Sequence, residues 1–492
     1  MTQKNNGFYE AFKSKDPRFD GRFFVGVSST GIYCRPVCKA KLPKEENCTF
    51  YDTSAEAEAN GYRPCLICRP ELAPGTSTTD AIQSLSYRAS KMLEETCSSG
   101  QSVEEIAQYL DCSDRHLRRV FASQYHVSPI QYLQTCRLLL AKTLLTDTKL
   151  SILDVAMASG FGSLRRFNDV FKEHYKLTPT GFRKNAKTKE LQPEDITVAL
   201  GYRPPYNWDE MLTFLSARAI PGVEVIKNQT YYRTASFISD NKRIKGTIAV
   251  SNDSKRNVLK VTVDVSLLPV LPQVLSRVRH LFDLSCEPQI IHEKLSVMNK
   301  LNPDYCHLGT RLPGSFEPFE MCVRAILGQQ ITVKAARTLA GRMVDTFGTP
   351  IETNIDGLTH IFPTPDKIIS LEDNIEEHLG LLGIIKTRSN TILALAHAFE
   401  DRSIDFYHPA SPQEEIEKLI ELPGIGMWSA QYIAMRAMGW TDAFPHTDLG
   451  VMKALDTLKS KEILEAAEMW RPWRGYATIN LWNYETRKEP KK

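Results

Sequence analysis

No stretch of this 492-residue chain approaches the roughly 18 consecutive apolar residues of a membrane-spanning helix. The opening MTQKNNGFYE lacks the apolar core of a secretory signal, so a cytoplasmic location is expected. A dominant charge sign is missing as well: 61 Lys and Arg face 58 Asp and Glu, a net +3. Cysteine is too sparse for a secreted disulfide scaffold; 11 scattered residues suit a reducing compartment, where close pairs favour metal. The length exceeds what a single core organises and predicts roughly three to four domains.

What charge there is lies unevenly. Residues 1–190 hold 27 basic against 21 acidic side chains, net +6, and the remainder 34 against 37, net −3. The excess concentrates in 102–189, with 14 against 8, which is compatible with nucleic-acid contact.

Four cysteines, Cys34, Cys38, Cys65 and Cys68, form two close pairs in basic, aromatic sequence. Tetrahedral zinc takes four such thiolates. Arg35, Lys39, Lys41, Arg63 and Arg69 surround a group that would otherwise carry a double negative charge. Three readings follow from spacing alone: a structural zinc knuckle, a reactive zinc thiolate able to act as nucleophile near a polyanion, or a pair of disulfides.

After the linker Glu71–Asp80, a repeat appears. SVEEIAQYLDCSDRHLRRVFASQYHVSP from Ser102 is echoed by SILDVAMASGFGSLRRFNDVFKEHYKLTP from Ser151, at an offset of 49 that becomes 50 past the turn. Each copy reads as a short helix, a tight turn, and a second helix capped by Ser113 or Ser163. The polar face of the second helix carries Arg115, His116, Arg118 and Arg119 in one copy and Arg165, Arg166 and Asn168 in the other. Guanidinium and amide groups near a helix start are what a helix-turn-helix recognition helix needs; solvated helical hairpins are the plainer alternative.

Beyond the basic linker Arg183–Asp195 the pattern changes to period two. In VLKVTVDVS, Leu259, Val261, Val263 and Val265 are predicted to share one face; with GTIAV and TYYRTASF they suggest a small antiparallel sheet. Helices are expected around Trp208–Ala219 and Leu271–Phe282, and a mostly helical region from about 315 onward.

LPGIG separates an acidic amphipathic helix from an apolar one. Gly424 and Gly426 make a hairpin with amides exposed at a helix N-terminus, suited to a DNA phosphate, with a bound monovalent cation possible; a structural corner explains it equally. Asp448 follows at a loop-to-helix boundary, either as an N-cap or as a lone catalytic carboxylate. Trp428 and Tyr432 share a helix face, and Trp482 lies in a final aromatic cluster; these rings would suit a flat cationic ligand or an ordinary core.

Residues 1–186, including FDGRFFVGVSSTGIYCRPVCKAK and GYRPCLIC, resemble the N-terminal part of the Ada adaptive-response proteins. Residues 195–490 resemble AlkA, the inducible 3-methyladenine DNA glycosylases of the helix-hairpin-helix superfamily, through RLPGSFEPFEMCVRAILGQQI, LPGIGMWSAQYIAMRAMGW and WRPWRGYATINLWNY. The Pro-Cys-His-Arg string of an O6-alkylguanine demethylase does not occur. The resemblance implies a multidomain, mainly α chain. Its parts would be a small zinc-bound α/β domain (1–76), an AraC-type double helix-turn-helix (77–186), a linker (187–194), a small antiparallel α+β domain (195–284), and an all-α helix-hairpin-helix glycosylase domain (285–492).

It further implies one zinc ion, structural and catalytic, on Cys34, Cys38, Cys65 and Cys68, with Cys34 accepting a methyl group irreversibly from a DNA methylphosphotriester. Lys41 stands where the family often has arginine, which retains phosphate contact without bidentate geometry. Asp448 matches the catalytic aspartate, Trp428, Tyr432 and Trp482 the base pocket, and Gln330 the wedge that fills the gap left by a flipped nucleotide, polar here where the best-known relative has leucine. Trp428 replaces the Schiff-base lysine of bifunctional relatives, which implies simple hydrolysis without strand cleavage. The expected partners are double-stranded DNA, damaged and promoter, together with RNA polymerase; no membrane contact is expected, and a monomer is. The rival readings are a regulator with a vestigial glycosylase half and a repair enzyme whose helix-turn-helix pair only holds DNA.

Overall fold

The computed structural model describes residues 2–74, 85–185, 196–239, 242–456 and 458–488. The linker expected over 187–194 lies outside them, as does most of the one over 71–80. Two compact units emerge. One holds the described residues of Met1–Ser77, Gln83–Pro204 and Phe237–Ser276, the other those of Pro205–Ser236 and Arg277–Lys492.

The first unit begins with a four-stranded sheet in which Cys48–Tyr51, Phe24–Val27, Ile32–Cys34 and Arg63–Pro64 lie side by side in that order. Phe24–Val27 pairs antiparallel with both neighbours, and Ile32–Cys34 pairs parallel with Arg63–Pro64, Tyr33 opposite Pro64. Phe8 stacks on Phe23 with centroids 4.4 Å apart, and Phe50 meets Phe23 edge-on. The residues Glu71 and Leu72 are not linker: they close a short 3-10 turn, Pro70–Leu72, with Leu72 buried. A carboxylate with cationic partners behaves as core rather than as spacer, which composition alone did not reveal.

Next come the repeat helices. Val103–Tyr109 and Asp114–Tyr125 form the first copy, Ile152–Ala158 and Leu164–Tyr175 the second. Ser102, Ser113, Ser151 and Ser163 all accept a backbone N–H as N-caps. Both second helices end on a left-handed residue, His126 at φ 58° and Lys176 at φ 56°, so the duplication extends to the stop signal. Leu117 and Phe121, like Phe167 and Phe171, are buried at helical spacing. The 19-residue helix Pro129–Asp147 joins the copies.

The same unit contains strands Ile196–Gly201, Lys242–Asp253 and Val258–Val263, with Val258–Val263 antiparallel to both of the others. Val265 does not share the inward row. The strand ends at Val263, Asp264 caps a 3-10 turn by accepting from the Ser266 N–H, and Val265 is exposed.

The second unit holds the strand Glu224–Lys227 paired with the first part, to Ser236, of the strand Thr230–Ser239, the helix Trp208–Arg218, and a helical body whose helices include Pro318–Leu327, Lys386–Glu400, Pro412–Glu421, Met427–Arg436, Leu449–Ala454 and Arg474–Lys488. No helix among the described residues is long and apolar enough to cross a membrane.

Candidate functional site

Sheet pairing explains how the cysteines meet. Cys34 ends one strand and Cys65 directly follows its parallel neighbour, with the Cys65 N–H donating to the Tyr33 carbonyl at 3.0 Å. Cys38 and Cys68 follow each at a turn's distance, and all four sulfurs lie within 4.8 Å of one another. A tetrahedron with metal–sulfur bonds of about 2.3 Å has edges of about 3.8 Å, so the quartet fits one zinc ion. All four are free thiols, which removes the disulfide reading. Three are buried and Cys68 is half-buried. Sulfur–sulfur hydrogen bonds push the Cys34 and Cys68 thiols up and pull Cys38 and Cys65 down. Four neighbouring thiolates cannot ionise together without a cation, and a divalent metal supplies that charge.

The backbone N–H of Arg35 donates to Cys68 Sγ at 3.3 Å and that of Ile67 to Cys65 Sγ at 3.4 Å. The Arg35 guanidinium turns away from the sulfurs to pair with Asp20 and to donate to the Cys68 carbonyl at 3.0 Å. Arg69 makes a bidentate pair with Asp147 at 2.7 and 2.9 Å, so it is structural rather than a free phosphate ligand. Lys41 is exposed.

On the repeat helices Arg115, His116, Arg119, Arg165, Arg166 and Asn168 are exposed. Arg118 differs: it is half-buried and held by Asp114 at 2.7 Å and Glu104 at 3.2 Å.

In the second unit, Asp448 is an N-cap whose carboxylate also gathers two indoles. As N-cap of Leu449–Ala454, its Oδ1 accepts the N–H groups of Gly450 at 2.8 Å and Val451 at 3.3 Å. The same oxygen accepts the Trp482 indole N–H at 2.7 Å, and Oδ2 accepts that of Trp428 at 3.0 Å. Rings 34 and 20 residues away thus converge on one carboxylate. Trp428 stacks on Tyr432 with centroids 5.4 Å apart, and Tyr432 lies 6.1 Å from Trp482. The hairpin stands between Pro412–Glu421 and Met427–Arg436, with Gly424 at φ 81° and Gly426 as N-cap. Gln330 is exposed and left-handed at φ 55°, while its neighbour Gln329 donates to the Gly424 carbonyl and Ser429 hydroxyl, each at 2.9 Å.

Four family profiles match in succession. They are the metal binding domain of Ada over residues 7–71, a helix-turn-helix domain over 106–185, the AlkA N-terminal domain over 197–317, and the HhH-GPD superfamily of base excision DNA repair proteins over 323–472. The chain is 33% identical over 487 residues to the "Probable bifunctional transcriptional activator/DNA repair enzyme AlkA" of Mycobacterium tuberculosis, covering 96% of this chain and 95% of that one. The chain belongs to this family. Two shorter relatives of the AlkA-type fusion are DNA-3-methyladenine glycosylase 2 of Escherichia coli, 31% identical over 58% of this chain and 96% of its own, and the bifunctional activator/repair enzyme AdaA of Bacillus subtilis, 31% identical over 37% and 84%.

Residue types and spacing had not singled out three further side chains of this AlkA-type site. Phe214 stacks on Trp482 with centroids 6.1 Å apart, and the Arg218 guanidinium lies 3.8 Å over the Phe214 ring. Arg436, buried, donates to the Tyr432 hydroxyl at 3.1 Å and to the Gly314 carbonyl at 3.0 Å. Their i, i+4 spacing on one helix face was visible for Phe214 and Arg218, but a Phe–Arg pair is common on any half-exposed helix. Burial raises the Tyr432 hydroxyl, yet Arg436, Arg218 and Arg324 outweigh it and hold Tyr432 below the usual tyrosine range.

Proposed function

We propose that this chain is a DNA alkylation-repair protein with two chemistries and a transcriptional output. Its glycosylase part hydrolyses the N-glycosidic bond of alkylated bases such as 3-methyladenine, and the Asp448 constellation carries that reading. With two indole N–H donors and two backbone amides aimed at one carboxylate, Asp448 is oriented to stabilise an oxocarbenium-like sugar and position a water. Trp428, Tyr432 and Trp482 supply faces on which a flipped, electron-poor base stacks. With Trp428 at the Schiff-base position, the enzyme is monofunctional and leaves an abasic site. Gln330 fills the vacated stack, and the Gly424–Gly426 amides hold a phosphate of double-stranded DNA. A monovalent cation at the hairpin would draw on its carbonyls, of which Pro423 and Gly424 already accept bonds from Thr391 and Gln329.

In the front part, the Cys34 thiolate attacks the methyl carbon of a methylphosphotriester in line. A sulfur–carbon bond forms, the carbon–oxygen bond breaks, and the phosphodiester leaves as an anion. Zinc on Cys34, Cys38, Cys65 and Cys68, when bound, keeps the sulfurs deprotonated and fixes their arrangement. The product is a thioether that nothing in the site reverses, so each chain turns over once. Methylation removes one negative charge facing the DNA backbone and strengthens promoter binding by Arg115, His116, Arg119, Arg165, Arg166 and Asn168, with Lys41 on a phosphate. Arg118 enters this set only by giving up its carboxylates. RNA polymerase is the partner such a monomeric activator would meet. Domain limits of 1–76, 77–186, 195–284 and 285–492 go with this reading.

One experiment addresses both chemistries. The full chain is incubated with N-methylated duplex and with methylphosphotriester duplex, abasic sites are counted, and residues 1–76 are weighed. Abasic sites together with one added methyl on Cys34 are expected; excision without Cys34 methylation would leave only the glycosylase half of the reading.

A further inference from the structure

We infer that Leu66 and Ile67 are specificity-determining residues of the methyl-acceptor site, forming an apolar rim that favours an uncharged phosphate linkage over an ordinary, anionic one. The inference rests on the reading of Cys34 as methyl acceptor.

The sulfur quartet has an inner and an outer flank. On the inner flank Cys34, Cys38 and Cys65 belong to a core cluster with Ala11, Phe12, Phe23 and Val25. A DNA strand therefore approaches from the outer flank. Between Cys65 and Cys68 the chain turns, and its side chains there, Leu66 and Ile67, are 49% and 66% exposed, which places them at the outer rim. The Ile67 N–H donates to Cys65 Sγ at 3.4 Å, so the turn is fastened to a sulfur that it flanks.

The cations beside the ligands do not offset this apolar rim. Arg35, next to Cys34, is paired with Asp20, and Arg69, next to Cys68, is paired with Asp147 and Glu71. Buried Lys142, which donates to the Cys65 carbonyl at 3.4 Å, is paired with Glu71. Lys39 and Lys41 are exposed and Arg63 is half-buried, and these suit the flanking phosphates of the same strand.

A phosphodiester is an anion; a methylphosphotriester is neutral and carries a methyl group. Against Leu66 and Ile67 the anion loses hydration and gains no counter-charge. The triester has less hydration to lose, and its methyl covers apolar surface. Four thiolates on one zinc ion already repel an anion, and the rim adds a selection that survives when the sulfurs are left unchanged.

The test uses the zinc-loaded full chain and two short duplexes that differ at one linkage, a phosphodiester or a methylphosphonate. The methylphosphonate is neutral and holds its methyl on phosphorus, where it is not transferable, so binding is read without reaction. Each phosphorus configuration is tried. By fluorescence anisotropy, wild type should bind the better methylphosphonate duplex about fivefold more tightly than the unmodified one. Leu66→Ala and Ile67→Ala should each lower that ratio by about two- to threefold, and Ile67→Lys should bring it to about one or below. With methylphosphotriester duplex at low concentration, the two alanine variants should methylate Cys34 about three- to tenfold more slowly, weighed on residues 1–76. All variants should retain one zinc per chain, because neither side chain is a ligand; zinc loss would overturn the inference in favour of a structural turn. Equal ratios in wild type and Ile67→Lys, or equal weakening toward both duplexes, would also overturn it while leaving methyl transfer to Cys34 intact. Absence of that transfer in the unsubstituted chain would overturn the methyl-acceptor reading itself.

Discussion

Replacing Asp448 by asparagine exchanges one carboxylate oxygen for an amide and removes the only charge bonded to both indoles. The surviving oxygen can keep the Gly450, Val451 and Trp482 donors, because Oδ1 serves all three at 2.8, 3.3 and 2.7 Å. The new NH2 then faces the Trp428 N–H, 3.0 Å from the atom it replaces, donor against donor. Asparagine caps helices about as well as aspartate, so the variant should fold with a stability loss of about 1 kcal/mol. Loss of the charge should cost about 10²- to 10⁴-fold in excision rate, about 3 to 5 kcal/mol of transition-state stabilisation. Alanine is the harsher comparison, losing the cap and leaving two indole donors without an acceptor, for about 3 kcal/mol in total. The assay is single-turnover formation of abasic sites in methylated duplex, with thermal unfolding of each variant in parallel. An Asp448→Asn protein that is folded and excises within about threefold of wild type would refute the catalytic role and leave Asp448 as an N-cap.

Three further outcomes are expected. Cys34→Ser should take up no methyl and, with one thiolate fewer facing the DNA, bind duplex about three- to tenfold more tightly than the unmethylated wild type at low salt, read by fluorescence anisotropy; unchanged affinity would count against the charge argument. Buried Glu58, which accepts from Tyr33 at 3.0 Å and Thr135 at 3.2 Å, is pushed up to about 8 by desolvation. Its folded form therefore holds a proton that the unfolded chain loses from about pH 4.5, so this contribution to stability is complete below that pH and is lost as pH rises through 8. Glu58→Gln should flatten the decline between pH 6 and 8 by about 2 kcal/mol in urea titrations, and parallel profiles would refute it. Gly424→Ala places a Cβ 2.1 Å from Thr391 Oγ1 at φ 81°, so unfolding should become easier by more than about 1 kcal/mol and DNA affinity should fall, and wild-type binding would show that the hairpin has no part in it.

Much of this molecule was legible where information is local. Serine caps at Ser102, Ser113, Ser151 and Ser163, the hairpin glycines and the cysteine pairs each depend on neighbours a few residues away. Strand Ile196–Gly201 escaped detection because it is buried almost throughout, which erases the period-two signal of a half-exposed strand. Val265 followed the alternation on paper, but a turn capped by Asp264 ended the strand first. Glu71 looked like spacer until its partners Arg69 and Lys142 were folded against it.

The sequence by itself determined the residue types and their spacing: four sulfurs in two pairs, a duplicated helix-turn-helix, one carboxylate beyond a glycine hairpin, and the aromatic residues to go with it. Only the tertiary structure decided that Trp428 and Trp482 bond the same aspartate, that Arg118 and Arg69 are held by carboxylates while Arg119 is exposed, and that Arg218 lies over the Phe214 ring. The division has one cause. Caps, turns and ligand pairs are fixed by the chain's short-range geometry, whereas which charge meets which partner depends on segments brought together from across the chain, and a one-dimensional pattern carries no distance between them.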